Sequence, residues 1–263
     1  LEEPLNKPES PKEDLNMSAT EVQVFDNPEL LARATAEELT SMVRAKARDN
    51  GHFSLAISGG HTPLRLFELL ADPQQPWNAA LPWEQLSIFW VDERWVPHSD
   101  PESNFGVAYT GLFSRFERPG PGLHPFDTSL ESPLAAAEAM QAQIREHFGL
   151  KGKAELPRFD LVLLGLGADG HTASLFPGSQ LEFAPGQMAA AVHVPKLDSW
   201  RLTLTPALIN EAREAIFLVS GEDKTQALRA VVTAEGPQAP PAALIRLRDG
   251  RLRFWADREA AGK

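Results

Sequence analysis

The segment Gly165-Leu166-Gly167-Ala168-Asp169-Gly170-His171-Thr172 places a histidine two residues after an aspartate, inside a glycine-rich turn. Imidazole is the side chain best suited to moving protons near neutral pH, and a carboxylate beside it can orient the ring. General-base chemistry by His171, oriented by Asp169, is therefore the first candidate. A short helix opening at His171 would favour the neutral, proton-accepting ring, and could instead take Asp169 as its cap. The second candidate segment is Ser58-Gly59-Gly60-His61-Thr62-Pro63. Its glycines let backbone N–H groups turn toward a ligand, Ser58 and Thr62 add hydroxyls, and a helix from Pro63 would lend an anion its positive N-terminus. A tight strand-to-helix turn with no ligand reads equally well from these residues. Arg94, Arg201 and Lys224 are the candidate cations for a phosphate, with Asp92 and Glu93 expected to fix Arg94.

Each of these groups is adjacent to a run that reads as strand. FSLAI (53–57) leads into the Ser58 turn, LSIFWV (86–91) into Asp92-Glu93-Arg94, FDLVLLG (159–165) into the His171 turn, and AIFLVS (215–220) into Gly221-Glu222-Asp223-Lys224. Continuous apolar runs of this length mark strands covered on both faces. Between them lie helical stretches: one capped by Asn27 with Pro28 in its first turn, one from Pro63, and one from Ser132 or Pro133 to about Phe148. Others start at Pro206 and about Lys224, and RLRFWA is the last strand. This alternation predicts a three-layer α/β/α sandwich around a mostly parallel, Rossmann-like sheet. AAVHV and RLTLT, the latter opening with Arg201, are expected to pair as a small antiparallel appendage. Ligands of open α/β sheets bind beyond the carboxyl ends of the strands, so the four turns should share one crevice. A single domain over 20–263 is expected, with GPQAPP (236–241) a surface loop inside it. Residues 1–19, rich in proline and mixed charge, read as a disordered leader.

Composition removes whole classes of function. The chain has 263 residues, 43% of them hydrophobic, enough for a substantial core. Its net charge of −11 disfavours binding to nucleic acid or to an anionic membrane surface. With no cysteine there is no disulfide, thiolate zinc site, iron–sulfur cluster or thiol catalysis, and the seven histidines show no zinc-binding spacing. No apolar run approaches the ~18 residues of a membrane span, and no export signal is visible, which makes the cytoplasm the expected compartment. Gly165, Gly167 and Gly170 match the G-x-G-x-x-G pattern of dinucleotide sites. Pro177-Gly178 would cut the helix that such a site needs, and no following strand ends in the required acid.

Taken in order, SGGHTP, VDERWVPHSDPESNFG, LLGLGADGHTASLFPG, RLTLTP and GEDK resemble the 6-phosphogluconolactonase family, from about Val22 to Trp255. The resemblance implies the fold shared with glucosamine-6-phosphate deaminases and ribose-5-phosphate isomerases. It also implies hydrolysis of 6-phospho-D-glucono-1,5-lactone to 6-phosphogluconate in the pentose phosphate pathway, with no metal or organic cofactor. The partner it implies is the phosphosugar lactone, bound by a monomer or weak homo-oligomer. Carried over residue by residue, His171 matches the family's general base and Arg94 a substrate-contacting arginine. Ser58, Gly59, Gly60, Arg201 and Lys224 match positions around the phosphate, and Asn104 one near the site. Backbone N–H groups from Gly167 to Gly170 are expected to hold the oxyanion. Two alternatives remain open at this point. A deaminase or isomerase would carry Asp-Glu-Tyr where this chain has Asp92-Glu93-Arg94, and a glutamate where it has Phe176. A sugar-phosphate-binding module without catalysis would need only the anion-binding part.

Overall fold

A computed structural model describes residues 21–49, 51–116, 120–152, 154–233 and 239–263. The expected leader and the first half of the 236–241 loop lie outside them. The chain opens with β1 (Glu21–Phe25), α1 (Pro28–Arg48), β2 (Phe53–Ile57), α2 (His61–Ala71) and α3 (Pro76–Ala80). There follow β3 (Leu86–Trp90), β4 (Asp92–Arg94), α4 (Asn104–Gly111), β5 (Gly122–His124), α5 (Pro133–Phe148) and β6 (Leu161–Gly165). It closes with β7 (Ala189–Val194), β8 (Ser199–Leu204), α6 (Pro206–Ile209), β9 (Glu214–Val219), α7 (Thr225–Thr233), β10 (Arg251–Asp257) and α8 (Arg258–Ala261).

Seven strands form one sheet in the order β1-β10-β9-β6-β2-β3-β5, every pairing parallel. The expected antiparallel pair, β7 with β8, exists, and β4 joins it as a third strand. Strands β2 and β3 are buried throughout, as their largely apolar runs require, with Ser54 and Ser87 the small polar exceptions. Successive strand side chains point to opposite faces. Phe89 accordingly meets His147 and Phe148 of α5, whereas Trp90 meets Phe105 of α4, so helices cover both sides of the sheet. Each such buried ring contributes about 2–3 kcal/mol of transfer free energy. On the α4 side, α1 and α2 pack together, and Leu31, Leu39 and Val43 of α1 are fully enclosed.

Local chemistry sets the helix ends. Asn27 accepts from Leu30 N–H at 2.9 Å, and Ser132 caps α5 through Ala135 N–H at 3.1 Å. Helix α2 starts at His61, two residues before the Pro63 start read from sequence. No helix follows His171. Residues 172–175 form a turn closed by the bridge between Thr172 and Leu175, and Ala173 is held at φ 49°. The helix-terminus argument for a neutral His171, and the capping role for Asp169, therefore fall. No helix among the described residues is long and apolar enough to cross a membrane.

Candidate active site

Strand order creates the site. In β9-β6-β2-β3 the four strands lie side by side, so the segments leaving their carboxyl ends meet in a row. They enclose a cleft of about 380 Å³ whose walls include Ser58, Gly59, Gly60, Thr62, Arg94, Asn104, Gly167, His171 and Lys224. An adjoining hollow of about 250 Å³ shares Gly59, Gly60, Arg94 and Asn104 with it and adds Arg201. Among the expected residues, Asp169 stands behind His171, and Gly170 is turned away toward Pro240.

The His171 ring is held on three sides. Asp169 Oδ1 lies 2.5 Å from Nδ1, and the same oxygen accepts from His171 N–H at 3.2 Å. Phe176 stacks on the ring with centroids 4.1 Å apart. Gly167 forms the floor: a Cβ there would lie 2.0 Å from Nδ1, so only glycine leaves room for the ring. Burial pushes the Asp169 carboxyl up, but its hydrogen bonds and charge interaction with His171 outweigh this and hold it below its ordinary value. A carboxylate accepts from Nδ1–H, which leaves Nε2 as the proton acceptor.

The glycines do not supply an oxyanion hole. Gly167 N–H donates to His171 O at 2.8 Å, and Gly170 N–H donates to Gly167 O at 2.9 Å. Gly170, at φ 81°, instead lets the turn close tightly, and its carbonyl accepts from Ala242 N–H at 3.0 Å. The two residues give space and curvature rather than donors.

Arg94 and Arg201 are cross-strand partners on β4 and β8. Neither forms an ion pair with a carboxylate among the described residues; Arg94 donates to the Glu102 carbonyl. Arg201 Nε is buried and unpartnered, and burial, followed by the charge of Arg94, pushes the Arg201 guanidinium pKa down. Two adjacent, incompletely satisfied guanidinium groups have the charge and donors to hold an anion. The expected clamp of Arg94 by Asp92 and Glu93 is absent. Glu93, fully buried, accepts instead from the N–H groups of Arg94, Asn104 and Phe105 at 2.8, 2.6 and 2.8 Å, and from Ser103 Oγ at 3.1 Å. It thereby ties β4 to the start of α4. That junction presses Asn104 against Gly59, where a Cβ would lie 1.8 Å from Asn104 Oδ1. Asn104 Nδ2 donates to the Asp92 carbonyl at 2.9 Å, while its Oδ1 is buried and unpartnered.

Ser58 is committed to structure: its N–H and Oγ both donate to Leu163 O, at 3.1 and 3.0 Å. Gly60, at φ 97°, caps α2 and presents open space to the cleft, so the unpaired first-turn N–H groups of α2 lie beside it. Lys224 Nζ sits 2.8 Å from Asp223 Oδ2. Its loop is anchored by Asp257, which accepts from Ser220 Oγ at 2.5 Å and from Gly221 N–H at 3.1 Å. Sequence reasoning missed Asp257, whose signal is only its place at the carboxyl end of a strand. Among the described residues no group of three or more His, Asp or Glu side chains is arranged to hold a metal ion.

Comparison with known proteins shows the family and the fold. A sequence model described as glucosamine-6-phosphate isomerases/6-phosphogluconolactonase matches residues 26–254. The chain is 35% identical over 243 residues to a 6-phosphogluconolactonase of Synechocystis, covering 92% of this chain and 97% of that protein. It is 34% identical over 214 residues to a 6-phosphogluconolactonase of Haemophilus influenzae, covering 78% and 85%. The solved structure of 6-phosphogluconolactonase from Trypanosoma cruzi superposes with a TM-score of 0.81 at 31% identity, covering 94% of this chain and 98% of that one. With the parallel sheet, the antiparallel appendage and near-complete coverage all matched, the chain belongs to the glucosamine-6-phosphate isomerase/6-phosphogluconolactonase family.

Proposed function

We propose that the protein hydrolyses 6-phospho-D-glucono-1,5-lactone to 6-phospho-D-gluconate, the lactone-opening step of the pentose phosphate pathway. The observation that carries this reading is a carboxylate-oriented imidazole in one cleft with Arg94, next to a hollow that adds its cross-strand partner Arg201, neither arginine ion-paired to a carboxylate among the described residues. The names of the relatives point the same way.

The phosphate is held by Arg94, Arg201 and Lys224 with the N-terminus of α2, so binding energy at the remote end positions the carbonyl. His171 Nε2 takes a proton from water, and the hydroxide adds to the lactone carbonyl. Collapse of the tetrahedral intermediate breaks the bond to the ring oxygen, which takes the proton back from the imidazolium. Asp169 keeps the ring in the accepting tautomer and stabilises the transient positive charge. Deamination or isomerisation is disfavoured by Phe176, an apolar ring stacked on His171 where that chemistry would place a glutamate. Binding without catalysis leaves the oriented imidazole without a purpose.

The test follows acid release from freshly generated lactone, and ammonia release from glucosamine 6-phosphate in parallel. The reading expects the first reaction to be accelerated well above spontaneous opening, and the second to be absent. Acid release at the spontaneous rate refutes it.

A further inference from the structure

Asp92 is a buried carboxyl, 8% exposed, that opens onto the cleft, yet the chemistry above leaves it unused. Strand alternation puts Asp92 and Arg94 on one face of β4, about 7 Å apart, with Glu93 on the other. Asp92 Oδ2 accepts from Ser174 Oγ at 2.8 Å, whereas Oδ1 accepts no hydrogen bond from the described residues. Ser174 belongs to the turn that carries His171 three residues earlier, and the carboxyl feels the charges of Arg94, His171 and Arg201 alike.

A six-carbon lactone lying with its carbonyl at His171 and its phosphate at the arginines turns its ring hydroxyls to the cleft walls, of which Asp92 is one. Burial raises the Asp92 pKa, and the nearby Arg94 charge opposes the rise. A hydroxyl both donates and accepts, so it pairs with the carboxyl in either protonation state.

We propose that Asp92 Oδ1 reads the hydroxyl on the carbon next to the lactone carbonyl and so sets the enzyme's selectivity among phosphosugar lactones. The proposal rests on lactone hydrolysis in this cleft. It differs from a purely structural role for Asp92, in which the carboxyl only braces Ser174.

The experiment compares kcat/KM for 6-phosphogluconolactone and its 2-deoxy analogue, each generated by oxidising the corresponding sugar phosphate and each corrected for spontaneous opening. The unaltered protein is expected to prefer the hydroxylated lactone about 10- to 150-fold, the range for a hydrogen bond to a charged group. In Asp92→Ala that preference should shrink to about threefold or less, with Asp92→Asn intermediate. Ser174→Ala, which leaves Oδ1 in place, should retain most of it. A bracing role predicts instead that Asp92→Ala slows both lactones equally and keeps their ratio. Equal rates for the two lactones with the unaltered protein overturn the inference without any variant, which covers the case in which Asp92→Ala does not fold. Hydrolysis of neither lactone refutes the proposed activity itself, and the inference with it.

Discussion

Replacing Gly167 with alanine would put a methyl carbon 2.0 Å from His171 Nδ1, 2.2 Å from Cε1 and 2.8 Å from Asp169 Oδ1. Carbon meets ring atoms comfortably only at about 3.5 Å, so the imidazole must retreat by about 1.5 Å. Phe176, stacked at 4.1 Å, and the 2.5 Å bond to Asp169 leave no equivalent resting place. Misplacing a reacting group by about 1 Å costs on the order of 100-fold in rate. Stability should suffer little. Gly167 is not among the glycines at positive φ, so alanine meets no backbone penalty. The exposed half of the damage is one partly solvated hydrogen bond, about 1 kcal/mol, or about 2–4 °C in Tm for a domain of this size. Gly167→Ala is therefore expected to lose about 100-fold in kcat for lactone opening with KM changed less than about threefold, while its melting curve stays close to that of the parent. A variant that melts normally and turns over within threefold of the parent would refute the packing argument and the placement of the base.

Other outcomes follow from the same geometry. Arg201→Ala should weaken binding of 6-phosphogluconate by about 10- to 100-fold in calorimetry, because a charge-assisted contact is lost; an unchanged Kd would remove Arg201 from the anion site. Glu93→Ala should cost about 3–5 kcal/mol in urea unfolding, since it strips one buried and two part-buried N–H groups of the acceptor they share; a loss below 1 kcal/mol would contradict that role. Burial, followed by the charge of His147, lowers the His124 pKa to about 4, where its ring is stacked on Phe89 at 4.3 Å. The unfolded chain takes up a proton that the folded ring refuses, so stability contributed at neutral pH is lost as pH falls from about 6.5 to about 4. With partial exposure discounted, His124→Phe should remove about 1–2 kcal/mol of that acid loss, and identical pH dependence in parent and variant would count against it.

The long elements and the location of the site were legible because their signals are local. FSLAI and LSIFWV are apolar at every position but one small serine each, Ser54 and Ser87, as strands buried on both faces can be, and the polar turns next to them mark the carboxyl edge. Three short elements gave no such signal. β4 is three charged residues, and it is a strand because β8 lies alongside to pair with it, a long-range fact. β5 is three residues at the sheet edge, too few for any periodicity. α4 carries Gly106 and Gly111, which lower helix propensity, and it is held by the Ser103 cap and the Glu93 carboxylate.

At the site, residue types were readable but their hydrogen-bond commitments were not. His171, Asp169 and Arg94 lie in segments that leave the carboxyl ends of β6 and β3, whereas Arg201 comes from β8 of the antiparallel appendage. Which N–H groups remain free depends on how each turn closes. Gly167 and Gly170 spend theirs inside the loop, and Glu93 turns away from Arg94 toward α4. The Asp92–Ser174 contact joins residues 82 positions apart, beyond what spacing alone can express.

The most direct test of the central claim replaces His171 with asparagine and measures two quantities on the same preparation: kcat for lactone opening, and Kd for 6-phosphogluconate. A proton-accepting imidazole predicts a fall of about 100- to 10,000-fold in kcat with Kd kept within about threefold. Turnover at the parental rate with binding intact would contradict it.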